Sequence, residues 1–120
     1  MIKIDVSDQL GTFALRARAS LPSNGTTVFY GKSGSGKSSL LDVIAGFRTP
    51  ALSSSLELAG EKWLQPNKKP MSVLSRRVAY VTQHNCLFEH LTVEQNLDYV
   101  ISRREKRGLS KGNEVLALND

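Results

Sequence analysis

Residues 31–38, Gly-Lys-Ser-Gly-Ser-Gly-Lys-Ser, match the pattern G-x-x-x-x-G-K-[ST] at every fixed position. Each residue type answers a physical need. Gly31, Gly34 and Gly36 let the backbone turn tightly and reach positive φ, so that consecutive N–H groups point inward. Those donors, with Lys32, Ser33 and Ser35 between the glycines and the positive end of a following helix, suit phosphate oxygens. Lys37 supplies a point charge for β- and γ-phosphates, Ser38 a hydroxyl for Mg²⁺, and Ser39 a donor toward an α-phosphate. The competing reading is a Gly/Ser-rich linker, but linkers are not bracketed by an apolar strand and an amphipathic helix. The loop therefore implies nucleoside triphosphate binding.

The elements around it are legible by period. Residues 26–30 are β-branched and aromatic without alternation, which predicts a strand covered on both faces. After the loop, Leu40, Leu41, Val43, Ile44 and Phe47 recur at helical spacing, with Gly46 at the end. Upstream, residues 2–6 alternate apolar and polar. Phe13, Leu15, Ala17 and Ala19 repeat the pattern with Arg16 and Arg18 on the other face, so residues 8–12 join an antiparallel hairpin. Downstream, Leu56-Glu57-Leu58 predicts a short strand ending at Gly60, 62–69 a loop, and 78–81 a second continuously apolar strand. Thr92 and Gln95 fit a capping box for a helix through about Arg104, and 110–120 reads as the start of another. The expected fold is α/β, a parallel core holding the loop's strand and helix beside an antiparallel β-subdomain.

Composition narrows the class. The 120 residues are 40% hydrophobic and 22% charged, which excludes a solvated disordered chain and a collagen-like one. No apolar run approaches the roughly 20 residues of a membrane span, and the start carries no signal-peptide core. One cysteine, Cys86, cannot form an internal disulfide; together these features point to the cytosol. The net charge is +5, of which Arg103, Arg104, Lys106, Arg107 and Lys111, less Glu105, supply +4. That run reads as a solvated helix face in preference to a phospholipid-headgroup contact, and no nucleic acid is expected. His84, Cys86 and His90 form H-x-C-x₃-H, no standard zinc spacing. Trp63 with Lys62, Lys68 and Lys69 reads as an exposed loop in preference to a partner surface.

A hydrolysing site of this kind needs an acid at the end of a neighbouring apolar strand to hold Mg²⁺. The strand at 78–81 ends in Thr82-Gln83, Asp42 lies inside the first helix, and Asp98 inside the later one. No such acid is found in the 120 residues.

Taken together, the stretch 31–41, then Ile44-Ala45-Gly46, then 77–83 ending Tyr80-Val81-Thr82-Gln83, then 87–97 with Leu87-Phe88, His90, Val93 and Asn96-Leu97, resembles the nucleotide-binding subunit of ABC transporters. The resemblance implies ATP and Mg²⁺ as cofactors. It places Gln83 at the family's Q-loop glutamine, a catalytic position alongside Lys37 that contacts Mg²⁺ and the attacking water. Ser38 and Gln83 would be the metal contacts. The 87–97 segment is similar to that of importers, and Leu21-Pro22-x-x-Gly25-x-Thr27 is most like the ATP-binding subunits of molybdate importers, with Thr26 where most ABC subunits carry Glu. An aromatic upstream of the loop stacks adenine in many ABC subunits. Phe13 is the nearest, but its short spacing to Lys37 favours a core-facing strand residue. Ser53-Ser54-Ser55 stands where the family has a Gly before the strand at Leu56.

The resemblance covers about the first half of a family domain. The Leu-Ser-Gly-Gly-Gln signature, the Walker B acid, the catalytic Glu, the D-loop and the switch His are not in the sequence, which implies the N-terminal piece, residues 1–120, of a longer P-loop NTPase domain truncated before the signature motif. The full-length subunit would form a homodimer on the cytoplasmic face of the membrane, work with transmembrane permease subunits, and couple ATP hydrolysis to import of an oxyanion such as molybdate. The piece alone would bind MgATP without turnover and expose apolar surface, including a face of 78–81. The alternatives are a small P-loop nucleotide or metabolite kinase, against which no Arg- and Asp-rich lid segment is found, and a naturally truncated, noncatalytic nucleotide-binding module.

Overall fold

The alternation that opens at Ile2 continues beyond Val6. Strand β1 spans Ile2–Leu10 and pairs antiparallel with β2, Phe13–Leu21, in register from Ile2↔Leu21 to Leu10↔Phe13. Two residues make the reversal, and Gly11 takes φ +61, a conformation that glycine adopts without a Cβ penalty. The structure, a computed structural model, describes residues 1–84 and 87–106, the side chains of 104–106 aside. It divides into two units, Met1–Tyr80 and Val81–Asp120.

In the first unit, β3 (Ser55–Leu58) pairs antiparallel with the free edge of β1, and β4 (Glu61–Leu64) with β3, giving the order β2-β1-β3-β4. Ala59 and Gly60 both have positive φ, as the tight two-residue hairpin turn requires. One face of the sheet is polar: Lys3 pairs with Glu57 at 3.1 Å and Arg18 with Asp5 at 2.7 Å. These exposed pairs contribute little to stability. The other face carries Ile4, Val6, Leu15 and Leu56, all buried, against Leu40 and Val43 of helix α1, Lys37–Ala45. Each such side chain contributes about 1.5–3 kcal/mol of burial, and their spacing explains why α1 settles there.

Four expectations are corrected. The stretch 62–69 is not all loop: 61–64 form β4, and Trp63 and Leu64 are buried in the core. A register irregularity opposite Leu56 and Glu57 turns two successive side chains inward, which breaks the period-two signal. Trp63 is therefore a core residue. Neither 26–30 nor 78–81 is a strand. Neither forms a ladder with a described segment, and Val28 is 79% and Val81 93% exposed. A strand exists only where a neighbour takes its N–H and C=O groups, and no described segment does so. The described sheet is antiparallel throughout, as expected of the N-terminal β-subdomain, and among the described residues no strands pair in parallel.

The second unit holds helix α2, Val93–Lys106. Its capping box is formed: the Thr92 N–H donates to Gln95 Oε1 at 2.9 Å, and the Gln95 N–H to Thr92 Oγ1 at 3.2 Å. Buried Asn96 clasps the entry, its Nδ2 donating to the carbonyls of Phe88, Leu91 and Thr92 while its Oδ1 accepts from the Phe88 N–H. Phe88 packs edge-on to Tyr99 at 5.0 Å, and Arg103 lies over the Tyr99 ring. The expected helix at 110–120 and Cys86 lie outside the described residues. Among those described, no three His, Cys, Asp or Glu side chains converge as a metal site would need.

Candidate phosphate-binding loop

Helix α1 begins where the backbone has just passed through two left-handed residues. Gly34 has φ +77, and Gly36, the N-cap residue, has φ +89. Gly31 does not adopt positive φ, contrary to the expectation for all three loop glycines. A Cβ there would come 3.0 Å from Ser35 Oγ, so glycine leaves that hydroxyl its place against the loop backbone. A turn bond from the Ser35 N–H to the Lys32 carbonyl, 3.2 Å, holds the loop's shape. At Gly36 a Cβ would lie 2.7 Å from Leu15 Cδ1 and 3.2 Å from Phe13 Cε1. The start of β2 thus presses on the loop where helix and loop meet. Phe13 lies on the same face of β2 as buried Leu15, beside Gly36, but at 40% exposed it sits at the margin of the core.

Lys37 returns across the loop that precedes it. Its Nζ donates to the carbonyls of Gly31 at 2.8 Å and Lys32 at 2.7 Å, with Ser35 Oγ at 3.3 Å. Ser33, Ser35 and Ser38 are exposed beside it, and Ser39 is half-buried. One ammonium, a set of small hydroxyls and a helix start, with no acid among them, form a donor set matched to phosphate oxygens. Gln83 is solvent-exposed and belongs to the second unit, in the segment ahead of α2.

The far end of α1 is held as firmly as its start. Gly46, φ +92, turns its N–H back to the carbonyls of Asp42 and Val43. Buried Arg76 donates from Nη1 to Val43 O at 2.6 Å and Ile44 O at 2.9 Å, from Nε to Met71 O at 3.1 Å, and lies over the Trp63 ring. Burial draws the guanidinium pKa below its usual value. Tyr80 Oη donates to Asp42 Oδ1 at 2.6 Å and its ring packs on Phe47. That bond to the carboxylate, and then burial, raise the phenol pKa.

Behind the helix, Asp8 is fully buried. It accepts from the Ala51 N–H, Arg48 Nε and the Gln9 N–H, which fastens the segment after α1 to β1. Burial alone would raise its carboxyl pKa. The Ala51 N–H, the Arg48 guanidinium and the Gln9 N–H outweigh that, and it lies below the usual carboxylate value.

Asp8, Arg76 and Tyr80 were not singled out for these roles by the sequence reading. Asp8 was open to it, since Ile4, Val6 and Asp8 continue one period-two face. Arg76 and Tyr80 lie far from the helix in sequence, and nothing local announces their partners.

The profile of the family described as "ABC transporter" matches residues 16–120. A molybdenum import ATP-binding protein, ModC, of Pasteurella multocida (strain Pm70) is 36% identical over 120 residues, covering 98% of this chain and 33% of its own. The protein of that name in Aliivibrio fischeri is 38% identical over 104 residues, 82% of this chain and 27% of its own. The one in Rhodopseudomonas palustris is 42% identical over 98 residues, 76% of this chain and 24% of its own. The chain thus spans a third or less of the length of these relatives. No solved structure matches it. A profile match over nearly the whole chain, on a loop with this donor set, establishes that the chain belongs to the ABC transporter family.

Proposed function

We propose that this chain is the phosphate-gripping part of an ABC importer ATPase and binds MgATP through residues 31–39. The observation that carries the reading is the placement of the Lys37 ammonium across the loop at the head of α1, on the carbonyls of Gly31 and Lys32. From there it reaches phosphate oxygens with little rearrangement, and the left-handed turns at Gly34 and Gly36 set the backbone around it. Lys37 would neutralise β- and γ-phosphate charge, the loop N–H groups and Ser39 would hold the remaining oxygens, and Ser38 would face Mg²⁺. Held at Ser38, Mg²⁺ would supply positive charge to offset that of the phosphates. Phe13, partly exposed beside Gly36, would offer its ring to adenine.

Gln83, matched to the family's Q-loop, is assigned the contact to Mg²⁺ and the attacking water in the full-length subunit. That subunit would act as a homodimer with transmembrane permease subunits at the cytoplasmic face of the membrane. The names of the relatives support molybdate as the anion that the full-length subunit would help import. Among the described residues no strand ends in an acid that could serve hydrolysis. Phosphate release by the purified chain tests this: we expect MgATP to bind with no sustained turnover. Sustained release that disappears in Lys37→Ala would overturn the division of labour.

A further inference from the structure

Arg76 is an unusual side chain. It is 3% exposed, and among the described residues no carboxylate pairs with it. Burying a guanidinium is costly, and an apolar residue of similar volume would often give equal or greater stability. Every donor contact it makes goes to a backbone carbonyl: Val43 and Ile44 in the last turn of α1, and Met71 in the segment that follows β4. Its guanidinium also lies over Trp63, a core residue of β4. Gly46 makes this possible, because a Cβ there would fall 3.0 Å from Arg76 Cζ and Nε.

The helix so held is nine residues, about 13 Å long, and a helix this short does not hold its own position. A charge fork joining its last turn to the sheet therefore fixes the direction in which its first turn points. Tyr80 adds a second tie, from a segment four residues further on, to Asp42 on the same helix. A cation at this end also complements the negative pole of the helix whose positive pole faces the phosphate loop.

We infer that Arg76 is a positioning residue for nucleotide phosphate, aiming the first turn of α1, with Lys37 and Ser38, from the opposite end of the helix. The inference rests on the reading of 31–39 as the ATP site. It makes α1 a rigid strut, so occupancy at one end is felt at the other.

The test uses the full chain, with MgATP and inorganic pyrophosphate as probes. Calorimetric titration of Arg76→Met should show affinity for both weakened about tenfold, and Arg76→Lys, which keeps the charge without the fork, an intermediate loss. In the unmutated chain the Arg76 Nε–H resonance should shift on saturation with pyrophosphate, and should not move in Lys37→Ala. A residue that only filled the core would leave that resonance unmoved. If Arg76→Met does not fold, the resonance decides the matter alone. An unmutated chain that binds MgATP, with unchanged affinity in Arg76→Met or an unshifted Nε–H, overturns the positioning role and leaves the ATP site standing. An unmutated chain that binds neither probe overturns both.

Discussion

Gly36 and Leu15 lie so close that a single added carbon at Gly36 would stand 2.7 Å from Leu15 Cδ1. The β1–β2 hairpin and the phosphate loop are therefore fitted to each other, and the loop's left-handed entry into α1 is fixed by packing as well as by backbone preference.

Gly36→Ala should show this directly. Its φ of +89 carries a penalty of about 1–2 kcal/mol for any residue with a Cβ, and overpacking against Leu15 and Phe13 adds about 1–3 kcal/mol. Chemical denaturation should report a loss of about 2–5 kcal/mol, or an unfolded chain. A stability within 0.5 kcal/mol of the parent, about the scatter of surface substitutions, would mean that β2 does not abut the loop.

Asp8 gives the first unit an acid-sensitive joint. Its folded carboxyl titrates below the unfolded value of about 3.9, so at low pH the unfolded chain takes up the proton first. The stabilisation is present above that unfolded value and is lost as pH falls through the folded one. Asp8→Asn should lower stability at pH 7 by about 2–4 kcal/mol, because it leaves Arg48 and the Ala51 N–H poorly matched in a buried place. It should also flatten the loss of stability between pH 5 and the acid limb. Parallel pH curves for parent and variant would exclude this role.

Thr92 tests the second unit independently. Thr92→Ala removes the acceptor of the Gln95 N–H and should weaken α2 by about 1 kcal/mol. Amide exchange at Gln95 should quicken about fivefold, with α1 untouched. Unchanged exchange at Gln95 would show that the box does not hold the helix start.

Local signals in the sequence were sufficient where the chain satisfies its own backbone. The hairpin, α1 and the Thr92–Gln95 box all rest on contacts close in sequence or on a simple period. The loop itself was legible because its glycines and Lys37 act within eight residues. Three features resisted. The irregular pairing opposite Leu56 and Glu57 hid Trp63 and Leu64 from a period-two reading. The segments 26–30 and 78–81 have the composition of buried strands, but composition reports a preference for cover and not the presence of a partner. Arg76 and Tyr80 act across 32 to 38 residues of sequence, so only the folded chain shows that they grip α1.

The central claim is that Lys37 and its loop hold the phosphates of ATP, and a calorimetric titration of MgATP into the chain and into Lys37→Ala tests it most directly. The account predicts saturable binding to the parent and a loss of at least about tenfold in affinity in the variant, the worth of a charge-assisted contact to phosphate. Equal affinity in the two, or no binding to a folded parent chain, would contradict it.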